Sequence, residues 1–448
     1  GSGRDGAGMG DGAPGSRGLG DSDAPHHRHY SAPPRPGTHR VPTPSGEAQT
    51  PRATRAAGRK ALLDAAAFGK LNEAQALLEQ GVDPDARARD RTGRTALILA
   101  AAFHDIAKPL TTREREIDGR IRVVSPRHEE RGRSYMALHL AGELPFAVLD
   151  KAMAMTGFHN ALKLLVVRNN RPGGYRRLSR QVDLDLVYWL EVADMRGREC
   201  IDKDKQLEHL EMFKMFSQEY GCWPTSDQES WNSQVAAALS DFPGATQDFV
   251  CARALRDREE GNITTPEEAI AKSYGYRDAY PEVVVVVGLS GSGKTTWIEK
   301  HLQDHQVVSL DEIRASLTHR DDQQNNANVL RIAKEQLREH LRAKRRVVWD
   351  ATSLRSDFRS AVIDLAEDYG ALTTIVAFHC PLEEHARRNK TRKHPVIAAV
   401  RLKQQVNAQW PQVVEAHRFL NVDGQGKLLS VHGCSGGVPY ALGSPGDD

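Results

Sequence analysis

Five consecutive valines, Val283 to Val287, lead directly into Gly288-Leu289-Ser290-Gly291-Ser292-Gly293-Lys294-Thr295, and this junction restricts the fold more than any other segment. A continuous β-branched run reads as a strand buried on both faces, the kind found in parallel sheets. The octapeptide matches G-x-x-x-x-G-K-[ST] in the strand-to-helix setting the pattern needs, with Thr296 to Leu302 continuing as the helix. Such a loop holds phosphates. Glycines let backbone N–H groups close around the oxygens, the helix N-terminus adds positive potential, and Lys294 reaches the terminal phosphates. Gly288, Ser290, Gly291, Ser292, Gly293 and Thr296 form the expected ATP cradle, and Thr295 is placed to hold Mg²⁺.

Further apolar runs follow at Val307-Val308, Val347 to Trp349 and Thr373 to Phe378, separated by helical stretches at Val329 to Leu341 and Ser356 to Tyr369. That alternation predicts an α/β domain with a parallel sheet covered on both faces. Ligands of such sheets sit beyond the C-terminal strand ends, which puts Asp311 and Asp350 on the functional edge. Asp311-x-x-Arg314 offers a base for an attacking hydroxyl and a cation for its substrate, one helical turn apart. The same spacing serves a helix-capping aspartate with a solvated arginine equally well. In the basic run Arg387 to Lys393, Arg388 and Arg392 share a helix face suited to neutralising a transferred phosphoryl group, or simply form an exposed basic surface.

Together with Trp349-Asp350-Ala351-Thr352-x-x-Arg355, these motifs resemble the P-loop polynucleotide 5′-hydroxyl kinase family over residues 281 to 422. The resemblance implies ATP-dependent phosphorylation of 5′-OH ends of RNA or DNA. It makes Asp311 the general base, sets Arg314 on the substrate phosphate, Arg388 and Arg392 in a lid over ATP, and Arg355 or Arg359 on the nucleic acid strand. A small-molecule or sugar kinase is the alternative on the same fold. An uncharged sugar needs no basic strand-binding surface, so Arg314, Arg355 and Arg359 lean against it.

Phe103-His104-Asp105-Ile106-Ala107-Lys108-Pro109 places a histidine and an aspartate side by side, able to ligate one divalent ion from a helix. The segment resembles the core of HD phosphohydrolases. That resemblance implies Asp194, in Val192 to Arg198, as the distant ligand, and assigns Lys108, His128 and His159 to phosphate-contacting or second-metal positions. Mn²⁺, Ni²⁺ or another divalent metal is the implied cofactor, and 3′ or 2′,3′-cyclic phosphates are the implied substrates. The family carries a further histidine on an upstream helix, yet no histidine lies between His39 and His104. Reduced metal affinity and a defective hydrolase are therefore expected. HD module first and kinase last resembles a bacterial nucleic acid end-healing fusion.

At 448 residues the chain has room for several domains. Residues 1–56, rich in Gly, Pro, Ser, Arg and His, read as a disordered tail. The chain opens on Gly1 rather than Met, as processing or an incomplete reading frame would leave it. Residues 57–102, including Ala61 to Ala86 and Gly93 to Ala101, resemble about one and a half ankyrin repeats, which need neighbours to bury their apolar face and offer a protein-partner surface. An interaction protein with decayed enzyme modules is thus a further alternative. Then come an incomplete HD-type helical domain (103–216), a connector broken at Trp223-Pro224, Phe242-Pro243-Gly244 and Thr265-Pro266 (217–280), the kinase-like domain (281–432) and a flexible tail (433–448). The net charge of +2 gives no bulk pull toward nucleic acid. Five scattered cysteines fit a reducing cytoplasm, and no apolar run reaches the roughly eighteen residues a membrane helix needs.

Overall fold

The computed structural model describes residues 91–223, 226–317, 326–392, 394–440 and 442. The expected tail 1–56 and the first part of the ankyrin-like fragment, 57–90, lie outside them. The described chain begins with a helical region: α1 (Arg91–Phe103), α2 (Lys108–Thr111), α3 (His128–His139), α4 (Phe146–Phe158), α5 (Ala161–Val167), α6 (Pro172–Ser179), α7 (Leu184–Arg196) and α8 (Lys203–Glu219). Ala96 and Ala100, four apart on α1, are fully buried, and their small side chains let α1 approach α4 and α7 closely. Met136, Leu149, Met153, Leu162, Leu190 and Phe213 complete that core.

The all-helical expectation for 103–216 misses one feature, an antiparallel hairpin of β1 (Arg113–Ile117) and β2 (Arg120–Val124) between α2 and α3. Its two-residue turn is Asp118-Gly119, with φ of +53° and +70°, a pairing that matches the twist of adjacent strands. The segment 217–280, expected as an irregular connector with short helices, does carry helices, and they pack around a core of their own. It holds α9 (Gln228–Ala238), α10 (Gly244–Glu260) and α11 (Pro266–Ser273) around a core of Trp231, Val235, Leu239, Val250 and Cys251. The prolines that read as breakers start helices instead: Pro243 caps α10, and Pro266 opens α11 behind a Thr265/Glu268 capping box.

The α/β domain has a six-stranded sheet in the order β4 (Gln306–Ser309), β5 (Arg346–Asp350), β3 (Glu282–Val287), β6 (Leu372–His379), β7 (Arg418–Asp423), β8 (Leu428–His432), with only β8 antiparallel. β3 lies in its centre. Val283, Val285 and Val287 enter one hydrophobic core and Val284 and Val286 the other, so the valine run is buried on both faces, at about 1.5–3 kcal/mol per side chain. The helices of this domain are α12 (Lys294–His301), α13 (Leu310–Leu317), α14 (Asn326–Arg342), α15 (Ser356–Asp368), α16 (Leu382–Thr391) and α17 (Ala398–Val406).

The expected flexible tail departs from the structure over its first half. After β8 the chain packs against the sheet, where the Tyr440 hydroxyl donates to Glu282 (2.6 Å) and meets Thr374 (3.0 Å), and its ring meets Trp297 edge-on. The helical region and the α/β domain are joined through α3: Ser134 accepts from the Trp410 backbone N–H at 2.8 Å, Glu130 accepts from Gln409 at 3.0 Å, and Arg131 and Arg133 donate to the carbonyls of Val406 and Pro411. No described helix is long and apolar enough to cross a membrane.

Candidate functional site

The phosphate loop bends where its sequence allows it, with Gly291 and Gly293 at φ of +90° and +100°. A Cβ on Gly293 would stand 3.1 Å from the Gly424 carbonyl and 3.3 Å from an Arg388 guanidinium nitrogen. Lys294 is buried and donates to the carbonyls of Gly288 and Leu289, both at 2.9 Å. Burial lowers its pKa to about 8, against the pull of Asp350 and Asp311 and with a push from nearby Arg392. Thr295 and Thr296 are exposed at the start of α12, and Ser292 is buried beneath the loop. Gln404 of α17, which no sequence signal marked, brackets Ser290: it accepts from the backbone N–H at 3.4 Å and donates to the hydroxyl at 3.1 Å.

Beside the loop, α13 carries Asp311 and Arg314. Ser309 takes the capping contact with Glu312 N–H (3.4 Å), which leaves the Asp311 carboxylate half exposed and paired with Arg314 at 2.7 Å. Arg388 faces the loop from α16, pairing with Glu384 (2.6 Å) and donating to the Gly424 carbonyl (2.6 Å) and Gln425 (3.3 Å), while Arg392 ends that helix. Arg355 is exposed and bound to Asp357. Arg359 is a correction. It is 1% exposed, grips Glu415 with two nitrogens at 2.6 and 2.9 Å, and donates to the Ser353 and Gln409 carbonyls, so it fastens the 409–415 segment and has no reach toward a strand.

A second constellation forms in the helical region from four separate elements. His104 and Asp105 follow α1, His128 opens α3, His159 caps α4 and Asp194 lies on α7. Their donor atoms fall into two sets sharing Asp105: His104, Asp105 and Asp194, and Asp105, His128 and His159. His104 Nε2 lies 3.3 Å from Asp105 Oδ2 and 3.4 Å from Asp194 Oδ1. His128 and His159 Nε2 lie 3.3 and 3.8 Å from Asp105 Oδ1 and 3.1 Å from each other. Atoms about 2.1 Å from a common tetrahedral ion stand roughly 3.4 Å apart, so the spacing fits a divalent metal. Each imidazole also binds a backbone carbonyl through Nδ1: His104 to Ala101, His128 to Ser125 and His159 to Thr156, at 2.7–2.9 Å. This orients each ring and turns every Nε2 toward the shared carboxylate. His104 Nε2 and Asp105 Oδ1 are buried without a hydrogen-bond partner, as ligand atoms for a cation would be.

The charges respond to this crowding. Burial opposes protonation of His104, but Asp105 and Asp194 outweigh it and raise the pKa to about 9. Burial holds His159 down to about 3. Burial opposes ionisation of Asp105 and Asp194, but the close His104 ring, with His128 and Lys108 beside Asp105 and Arg198 beside Asp194, holds both carboxyls below their usual range. Lys108 donates to Asp105 at 2.7 Å and so neutralises the shared carboxylate rather than projecting toward a phosphate. Asn160, which carries no motif of its own, places its amide 3.4 and 3.1 Å from His128 and His159; adjacency to His159 is its only signal in the sequence.

Residues 283–417 match a family described as AAA domain, and residues 62–107 match ankyrin repeats, whose match runs through α1 and the His104-Asp105 pair. No curated protein is similar to this chain. Among solved structures, a gluconokinase from Sinorhizobium meliloti 1021 is 19% identical, covering 32% of this chain and 83% of its own, with a TM-score of 0.26. A structure of the PezAT chromosomal toxin-antitoxin system of Streptococcus pneumoniae is 13% identical, covering 39% and 83%, with a TM-score of 0.27. Residues 283–417 thus combine an AAA-domain match with a G-x-x-x-x-G-K-[ST] phosphate loop, a pairing suited to a nucleoside triphosphate and Mg²⁺.

Proposed function

We propose that the chain uses ATP to phosphorylate 5′-OH ends of RNA or DNA. The observation that carries the reading is the Asp311–Arg314 pair, held on the sheet edge that also presents the phosphate loop. Asp311 would accept the proton of the attacking hydroxyl while Arg314 takes the neighbouring substrate phosphate. Lys294 would leave the Gly288 and Leu289 carbonyls for the terminal phosphates, Thr295 would hold Mg²⁺, and Arg388 and Arg392 would neutralise the charge on the moving phosphoryl group. Transfer of labelled γ-phosphate to 5′-OH RNA, 5′-OH DNA and a panel of sugars tests this. Oligonucleotide labelling that is lost in Asp311→Ala supports it, whereas labelling of a sugar alone makes the domain a small-molecule kinase.

The five converging donors favour a second activity, hydrolysis of 3′ or 2′,3′-cyclic phosphates at the helical site. A divalent metal bound there supplies Lewis acidity and lowers the pKa of a coordinated water. His104, Asp105 and Asp194 would hold one ion and His128 and His159 a second, with Asp105 between them and Asn160 beside the histidines. The absent upstream histidine then costs less than its loss from a three-ligand site would. Opening of a 2′,3′-cyclic phosphate with added Mn²⁺ or Ni²⁺ checks it, and silence with both metals refutes it. The ankyrin-repeat match at 62–107 supports a protein-binding role for that segment.

A further inference from the structure

The β1–β2 hairpin leaves the helical core between two ligands of the metal cluster and returns beside it. At its base the Thr112 and Ser125 hydroxyls meet at 2.5 Å, and the Ser125 carbonyl is the partner of His128 Nδ1. Both strands are exposed through almost their whole length, and at five residues each they form an arm about 17 Å long.

The register sorts the side chains sharply. Arg113 faces Val124, Arg115 faces Arg122 and Ile117 faces Arg120, while Glu114 faces Val123 and Glu116 faces Ile121. Directly opposed residues share a face, so Arg113, Arg115, Arg120 and Arg122 lie together on one side and both glutamates on the other. None of the four arginines forms an ion pair among the described residues, and Arg115 and Arg122 repel across the ladder. A lone two-stranded ribbon is marginal in water, and an anion along its basic face would remove the repulsion and order the arm.

We propose that this arginine face binds the phosphodiester backbone of a single strand whose end enters the metal cluster. The nature of that end rests on the phosphoesterase reading; the binding itself rests on the hairpin. Four guanidinium groups at strand spacing match a repeating anion, and the hairpin's base, joined to His128 through the Ser125 carbonyl, leads the strand's terminus toward the metal donors.

The test uses the full chain and fluorescent 12-nucleotide single strands, RNA and DNA, each bearing a 3′-phosphate, with p-nitrophenyl phosphate as a substrate too small to reach the arm. In the variant Arg113→Thr/Arg115→Thr/Arg120→Thr/Arg122→Thr, threonine keeps the strand propensity. Anisotropy should show at least a roughly 30-fold weaker oligonucleotide affinity, and the slope of log affinity against log salt should become shallower by about 0.7 for each phosphate no longer neutralised. Hydrolysis of p-nitrophenyl phosphate with Mn²⁺ should not change, and Glu114→Gln/Glu116→Gln should bind at least as well as wild type. Arg122→Glu alone, a single exposed change, should weaken binding about fivefold and keeps the test decisive if the fourfold variant misfolds. Wild-type affinity and salt slope in these variants would overturn the proposal. Equal binding of polyglutamate by the wild type would overturn it in favour of an acidic protein partner. Absence of p-nitrophenyl phosphate turnover in the wild type would sink the esterase reading alone, because the salt slope still judges the arm.

Discussion

The phosphate-loop site rests Asp311 and Arg388 on other charged side chains and a buried lysine on loop carbonyls, whereas the histidine-aspartate cluster fixes its three imidazoles from the backbone inside a helical core. Asp311 rests on Arg314, Arg388 on Glu384, and Lys294 on two loop carbonyls. Each of those partners can be exchanged for a ligand atom as substrate arrives. The three cluster imidazoles, by contrast, are each tied to a backbone carbonyl, so their geometry is set by the fold itself. One site is arranged to change partners and the other to stay still.

The sharpest way to break this contrast is Asp311→Ala, expected to lower γ-phosphate transfer by about 10²–10⁴-fold while leaving metal-dependent hydrolysis intact. An equal loss of hydrolysis in the same protein would show the two sites to be one functional unit. Asp105→Asn removes the carboxylate common to both donor sets, so Mn²⁺ affinity measured by calorimetry should fall by more than about 100-fold, beyond the usual effect of removing a hydrogen bond that supports a ligand. Kinase activity in that variant should stay within about twofold. Arg359→Ala removes a buried guanidinium and leaves the part-buried Glu415 with the Gln412 N–H alone, and should cost about 3 kcal/mol in denaturant unfolding, whereas Arg355→Ala, at an exposed pair, should cost less than about 1 kcal/mol. Comparable losses for the two would erase the distinction between a structural and a surface arginine.

A pH-dependent effect concerns the seam between the regions, where His379 packs against Phe146 of α4 and Trp410. Burial lowers its pKa to about 4, against the hydrogen bond with Asn421. The folded state therefore holds it neutral while the unfolded chain, near pH 6.5, takes up a proton first. Its contribution is present above pH 6.5 and is lost as pH falls toward 4, at up to about 1.4 kcal/mol per pH unit. His379→Gln should flatten the pH dependence of the Tm across that window.

The phosphate loop was legible because its chemistry is written in eight consecutive residues after an unbroken valine run. The mostly parallel sheet and the place of Asp311 just past a strand end followed from the apolar runs behind that junction, whereas the strand order is set by the fold. Arg359 was not legible: its spacing from Arg355 is that of a basic patch, and only the fold brings Glu415 against it. The resemblance at His104-Asp105 implied roles for His128, His159 and Asp194, but their convergence on Asp105 depends on how α3, α4 and α7 pack. The hairpin did leave a sign, since Asp118-Gly119 sits between two runs of strand character, but the surrounding helical pattern masked it. Pro243 and Pro266 read as interruptions because a proline that ends one helix and a proline that begins the next look alike without their neighbours.

The placement of Tyr440 bears on how the two chemistries can be dissected. A shortened protein ending at His432, where the sheet ends, would take Tyr440 away from Glu282 and Trp297, leaving Glu282 and its neighbour Arg418 open to water under the helix that carries Lys294. Weak phosphotransfer by such a fragment would report a missing foundation rather than a missing catalyst. Deletions and fused tags therefore belong beyond residue 442.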